Sequence, residues 1–444
     1  MIRRDSILKS ALMVCGLLLI CPASATAQDF TGLGDGTTWN DPANWLGGAL
    51  PIGNADIGNG FNVTLATNQT FNELDVVGDQ SAGTGSLTVS AGTINAGGWI
   101  KVGVDVGNDG TFTQTGGTYS GHTQLRVGDN GTGVADFSGT ANFTSTQDTS
   151  IGTGSGTGTL SFSDSAVFNN NASINLAENG TGTLNIADSA TVNISQLNTA
   201  NDTGTATVNQ TGGTLNANNW VAVGQGSTGT AVYNHSAGTV NVGLVSMGDA
   251  LTVGENASGT YNASGTADIN SPNLLVGRNG GGDGLLEITG SSVTIDLADD
   301  LRVGLQSGAA ANDQGANGEI SYIADAGGVS TIIAGDSTQF GANADLLVDL
   351  TADANFSTFT SFTQGPLQTI ATLVDNTNAV TGTFTGLAEG AVVNIGGGQT
   401  AFISYLGGDG NDIVLQTFST IPEPTSATVL ALAGMGMMFR RRRS

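Results

Sequence analysis

The stretch Val102-Gly-Val-Asp-Val-Gly-Asn-Asp-Gly-Thr-Phe-Thr-Gln-Thr-Gly-Gly-Thr-Tyr-Ser-Gly-His-Thr-Gln-Leu-Arg-Val127-Gly128 begins and ends on the same dipeptide, its two valines 25 residues apart. The pair or a near relative recurs at Val77-Gly78, Ile151-Gly152, Leu176-Ala177, Thr199-Ala200, Val223-Gly224, Val253-Gly254, Val276-Gly277 and Val303-Gly304. Most intervals are 23 to 27 residues, and the one from Val223 to Val253 is 30. Within each unit, short runs such as Gly158-Thr-Leu-Ser-Phe, Gly182-Thr-Leu-Asn-Ile and Gly229-Thr-Ala-Val-Tyr alternate apolar and polar residues. That is strand period, and Thr, Val, Ile and Phe suit a pleated surface. Gly and Asn between the runs supply turns with positive φ.

A unit this short cannot bury its apolar face alone, whereas stacked copies can, each strand pairing with its equivalent about 4.8 Å away. Antiparallel sandwiches would place Asn-Gly in hairpin turns. Here Asn130-Gly131 and Asn179-Gly180 follow the Val-Gly corner at a fixed phase, which makes them coil corners. The expected fold is therefore all-β: a parallel β-helix (β-solenoid) of about nine to ten coils, with a β-rich C-terminal extension and a short C-terminal hydrophobic helix. Nine intervals give a rod of about 45 Å.

The expected organisation is a signal peptide over 1–27, an N-terminal β cap over 28–75, the repeat array over 76–304, a β-rich region over 305–420 and a C-terminal signal over 421–444. An open solenoid end exposes an unpaired edge, so a cap is required at the first coil. Trp39 and Trp45 are read as cap residues, the competing reading being a sugar-stacking pair. Beyond Gly304 the rhythm is lost, although Glu319-Ile-Ser-Tyr-Ile and Ala344-Asp-Leu-Leu-Val-Asp-Leu still read as strands.

Positive charge sits almost wholly at the ends. Between Gln28 and Ile421 the only basic residues are Lys101, Arg126, Arg278 and Arg302, against 35 acidic ones, a balance of −31. Phosphate neutralisation, and with it nucleic-acid binding, is excluded as a function class. Both cysteines, Cys15 and Cys21, lie in the N-terminal apolar segment, which leaves the body without disulfide or thiol chemistry. Arg3, Arg4 and Lys9, the apolar run Ala11 to Ile20 and the small residues Ala25 and Ala27 form a secretory signal peptide, with cleavage by signal peptidase expected after Ala27.

At the other end, Pro422-Glu423-Pro424 precedes an apolar run of 13 residues, Ala427 to Phe439, and the basic cluster Arg440, Arg441, Arg442 and Arg443. These residues closely resemble the PEP-CTERM sorting signal. The resemblance implies processing by exosortase, an inner-membrane cysteine transpeptidase, and delivery to the cell surface or an exopolysaccharide matrix. The basic cluster would hold the cytoplasmic side, and the run is well short of the roughly 20 residues of a spanning helix, which suits a transient hold in the inner membrane. The repeat rhythm, in turn, resembles the autotransporter-associated β-strand repeats of bacterial surface proteins. Phe402-Ile-Ser-Tyr-Leu-Gly-Gly-Asp-Gly-Asn-Asp-Ile-Val-Leu415 resembles the closing strands of those proteins. No translocation barrel follows, so self-export through an outer membrane is not expected.

Four groups of residues invite a chemical reading. Gly407-Gly408-Asp409-Gly410-Asn411-Asp412-Ile413-Val414-Leu415 resembles one nonapeptide of the calcium-binding β-rolls, making Asp409 and Asp412 weak candidate calcium ligands. A single copy cannot fill a shell of six to eight oxygens, so a structural turn is preferred and no cofactor is expected beyond weak calcium. Asp79, Asp129, Glu178, Asp202 and Glu255 follow the corners and would make either an acidic ladder or a solvated turn face, the latter being favoured. Lys101, Arg126 and Arg302 each precede a corner valine and point outward by alternation. A polysaccharide lyase with a basic catalytic residue is weighed for them and set behind plain surface charge, because the sequence shows no acid set around Arg126. His122 and His235 lack metal spacing. The expected protein is thus a secreted, non-enzymatic surface or matrix protein associated with exopolysaccharide, and the alternative is a β-helical polysaccharide lyase or hydrolase.

Overall fold

The computed structural model describes residues 27–77, 83–121, 123–244, 250–305, 316–359 and 367–417. Ala25, Asp79, His122, the hydrophobic helix expected near the C-terminus and the residues Pro422, Glu423, Pro424, Arg440, Arg441, Arg442 and Arg443 lie outside them. The chain is 55% strand and 2% helix and winds into a parallel β-solenoid of about 12 turns. Each turn carries three strands. In one turn these are Ile100–Val102, Asp109–Gln114 and Thr118–Gly121, and the next turn repeats them as Leu125–Val127, Thr132–Phe137 and Asn142–Ser145. Every one of these pairs in parallel with its equivalent. The short first strands form their own 14-stranded sheet. Farther along, the second and third strands fuse, as in Thr205–Ala217 and Thr230–Val242.

The Val-Gly pairs are the sharp corners between the short strand and the long one, except that the pair read at Val77-Gly78 falls one residue late: Val76 stacks on Val102, which puts Val77 at the glycine position. Gly103, Gly128, Gly152, Gly224, Gly254, Gly277 and Gly304 all have positive φ, and so do Val77, Ala177 and Ala200 at the same phase. At Gly103 the need for glycine is also steric, since an added Cβ would overlap the carbonyl of Thr132 on the next turn. Left-handed backbone costs a non-glycine residue about 1–2 kcal/mol, so the three non-glycine corners are strained ones.

Parallel stacking extends past the 76–304 limits read from the repeat. It starts at Gln28–Asp29, paired with Asn54–Ile57 whose corner is Ile57-Gly58, and continues through Thr338–Phe340, with its corner at Phe340-Gly341, to Val380–Thr381. The later turns are lengthened by loops and lose the valine, which hides the rhythm while the register persists: Arg302 still pairs Gln339, and Gln339 pairs Thr381.

Inward side chains form columns along the axis. Tyr119, Phe143 and Phe168 stack at ring separations of 4.3 and 5.4 Å, beside Phe137 and Phe162 at 5.4 Å. Outward, two asparagine ladders run from turn to turn. Asn209 donates to Asn185, Asn234 to Asn209 and Asn262 to Asn234; in parallel, Asn193, Asn216, Asn241 and Asn270 each donate to the asparagine before. Each amide thus satisfies its neighbour on a pleated surface that water only partly reaches.

Both ends are closed. At the start, Trp39 and Trp45 pack edge to face at 4.7 Å with Phe30 and Phe71 against them, and the Trp45 indole N–H donates to the Trp39 carbonyl at 2.8 Å. Asn44 ties the covering loop together, accepting from the amides of Gly34 and Gly36 and donating to Asp35 and the Thr38 carbonyl. At the far end Thr369–Asn376, Thr400–Gly407 and Asp412–Gln416 switch to antiparallel pairing, ending the stack.

Candidate functional site

The outer face of the short-strand sheet carries a cluster of charged and aromatic side chains. Alternation sends Ile100 and Val102 into the core and leaves Trp99 and Lys101 outside. In-register pairing then aligns Asp56, Asp75, Lys101 and Arg126 on one column running along the axis. The column continues through Ser150, Asn175, Asn198 and Ala222. A second column beside it holds Asn54, Glu73, Trp99 and, five turns on, Trp220.

At the N-terminal part of this face, the Lys101 ammonium lies 2.5 Å from Glu73 and 3.6 Å from Asp75. Glu73 also accepts from the Asn54 amide at 3.0 Å. Trp99 covers the cluster: the Lys101 ammonium stands 5.3 Å and the Arg126 guanidinium 4.3 Å from its ring centroid. Arg126 is held from the other side by Asp129 at 2.9 Å, and Asp129 in turn accepts from the Thr153 hydroxyl. The acid set that the sequence does not show around these cations is therefore present around Lys101, supplied by the preceding turn.

Farther along, the Trp220 indole N–H donates to Asn198 at 3.0 Å, and Asn198 donates to Asn175 at 2.9 Å. Between the two tryptophans the column beyond Arg126 is Ser150, Asn175, Asn198 and Ala222, which carries no charge, while the tryptophan column itself holds Gln124, Asp148, Ser173 and Gln196. Ser150, Asn198 and Ala222 point outward and are nonetheless buried, so the strip is recessed between its bordering columns. Trp99 and Trp220 keep 40% and 37% of their surface exposed. Neither is singled out by the repeat, yet the signal is in the sequence: Trp99-Ile-Lys-Val-Gly103 and Trp220-Val-Ala-Val-Gly224 place a tryptophan at one phase of two corners.

The other candidates fall elsewhere. Trp39 and Trp45 are 0% and 1% exposed, which makes them cap residues and removes the sugar-stacking reading. Asp409 is at the exposed tip of an antiparallel hairpin, where the Gly410 amide donates to the Gly407 carbonyl, and Asp412 is buried at its base. Burial pushes the Asp412 carboxyl up, partly offset by the hydrogen bond it accepts from the Asn376 amide. This turn joins antiparallel strands rather than successive parallel coils, so it lacks the stacked geometry of a β-roll. The corner acids make no continuous ladder, since Thr153 lies between Asp129 and Glu178 at the same phase, and Glu255 is paired with Arg278 at 2.8 Å. Burial raises the Glu255 carboxyl, against the lowering effect of Arg278.

Arg302 binds Asp300 at 2.7 Å, in the one group of carboxylates that converges among the described residues, Asp299, Asp300 and Asp336. Asp300 there is already occupied by the amide and hydroxyl of Ser337. His235 is a core residue, hydrogen-bonded to the Tyr261 hydroxyl and the Gly238 carbonyl, and desolvation brings its pKa down to about 4. Among the described residues no helix is long and apolar enough to cross a membrane. No family model, curated protein or solved structure matches the chain.

Proposed function

We propose that this chain is a secreted structural or adhesive rod of the cell surface or extracellular matrix, delivered through exosortase processing of its Pro-Glu-Pro tail and associated there with exopolysaccharide. The observation that carries the reading is the stack of about 12 turns, closed at both ends, whose short strands line up in one 14-stranded sheet. Such a fold holds groups at fixed spacing along one axis, which suits a partner that is itself a long repeating polymer. The terminal signals supply the address, and the strongly acidic body favours solubility outside the cell.

The test is to follow the full chain in its own cells beside a variant with Pro422→Ala, Glu423→Ala and Pro424→Ala. The reading expects the parent protein on the surface or in the matrix and the variant retained in the inner membrane. Equal distribution of the two overturns it. A second reading, a β-helical polysaccharide lyase or hydrolase, draws on Glu73, Asp75 and Lys101 gathered beside Trp99. New reducing ends or unsaturated products from a polysaccharide incubated with the protein, lost in Glu73→Gln, would favour it over the structural role.

A further inference from the structure

The geometry points to a binding strip for a single neutral polysaccharide chain, laid along the solenoid axis over the short-strand sheet and stacked on Trp99 and Trp220. It rests on the surface reading above and names the ligand class and the residues that reading leaves open. Two of the four tryptophans are sealed in the cap, whereas these two stand half-exposed on one column of the outer face. Five turns separate them, from Ile100–Val102 to Val221–Val223, which is about 24 Å at the interstrand spacing. An extended chain of pyranose sugars advances by about one such spacing per residue, so one oligomer of six or more sugars reaches both rings. Indole faces accept the apolar faces of sugar rings, while the partly exposed amide of Asn175 between them can bond sugar hydroxyls. Asn175 accepts from Asn198, and its own amide N–H groups have no partner among the described residues.

Charge selects the neutral class. Within the strip Lys101 is held by Glu73 and Asp75 and Arg126 by Asp129, so each cation is already compensated by a carboxylate. Over Gln28 to Ile421 the balance is −31, which repels a polyanion at long range. A neutral chain meets no such barrier.

The experiment uses the full chain and reads intrinsic tryptophan fluorescence during titration with an unbranched neutral β-linked glucan, its disaccharide, its hexamer, and a uronan of the same length. Trp39 and Trp45, being buried, stay silent, so the change reports the strip. The expected result is saturable binding of the glucan and hexamer, the disaccharide at least about tenfold weaker, and no binding of the uronan at equal concentration. Trp220→Ala and Trp99→Ala should each weaken the hexamer about tenfold, Trp→Phe at either site much less. Far-UV circular dichroism should be unchanged in the Trp220 variants, which rules out a folding defect. Equal or better binding of the uronan, or hexamer binding untouched by both alanine variants, overturns the proposal. These outcomes leave the surface reading intact, because that reading is judged separately by where the Pro422-Glu423-Pro424 variant resides.

Discussion

The chain uses its four tryptophans in two opposite ways. At the N-terminal end Trp39 and Trp45 face inward, pack edge to face and close the first turn; on the short-strand face Trp99 and Trp220 face outward and stay half-exposed. The first pair lies in a loop held by Asn44, where packing decides its position. The second pair lies just before a strand whose alternation turns it to the outside. The residue type is therefore uninformative by itself. Its phase relative to the corner settles whether it is core or surface.

The largest effect that would break this contrast is in the cap. Trp39→Ala should cost about 3–5 kcal/mol, the range for emptying a buried aromatic site. Trp220→Ala should stay within about 1 kcal/mol, as a partly exposed side chain with one hydrogen bond to lose. Urea unfolding of the two variants side by side checks it, and equal losses would remove the distinction between the pairs.

Lys101 sharpens the contrast because it lies on the outer face yet is structurally costly to remove. Lys101→Met takes the cation from Glu73 and from the nearly inaccessible Asp75, leaving carboxylates in poorly hydrated surroundings. A loss of about 3 kcal/mol is expected. Restoring much of it with Lys101→Arg, measured by the same urea midpoints, would show that charge pairing rather than stem packing is responsible.

Inside the solenoid, His235 supplies the converse case of a polar group in the core. Its folded pKa is about 4 against an ordinary value near 6.5, and desolvation is the main cause. Above about pH 6.5 both folded and unfolded forms are neutral and the group has no effect on stability. As pH falls from about 6.5 to 4 the unfolded chain takes up the proton first, so stability drops by up to about 3 kcal/mol and then levels off. His235→Gln should flatten that window, glutamine being accepted by the same inward column at Gln114 and Gln210. Thermal midpoints at a series of pH values measure the slope.

The smallest effect is at the seam between inside and outside. Ala177→Gly and Ala200→Gly relieve left-handed backbone at two successive corners flanked by Gly152 and Gly224, and each should raise stability by about 0.5–1 kcal/mol. Gly128→Ala at the equivalent corner should lose more than that, because its Cβ would also meet the Thr157 carbonyl.

The parallel solenoid was legible in the Val-Gly spacing, as were the inward Ile100, Leu125 and Leu301 and the closing role of Trp39 and Trp45. The extra turns at each end were less so. Ile57-Gly58 falls one short interval before the corner Val76-Val77, which lacks a glycine, and Phe340-Gly341 follows a turn stretched by insertion, so pattern matching on length loses both. That loss had a consequence for the site. A reading that starts the array at Val76 assigns Glu73 and Asp75 to the cap, out of phase with Lys101, although the true register stacks Asp75 directly on it. The asparagine ladders carry a sequence signal of their own, Asn185, Asn209, Asn234 and Asn262 at one phase. It is hidden by the frequency of asparagine in the turns.

The most direct measurement of the proposed role is the intact mass of the protein recovered from the surface or matrix fraction of its own cells. The account predicts a chain lacking residues 1–27 and the segment containing Arg440 to Arg443, with the body from Gln28 onward preserved. A full C-terminal tail on a protein held in the membrane fraction would contradict it.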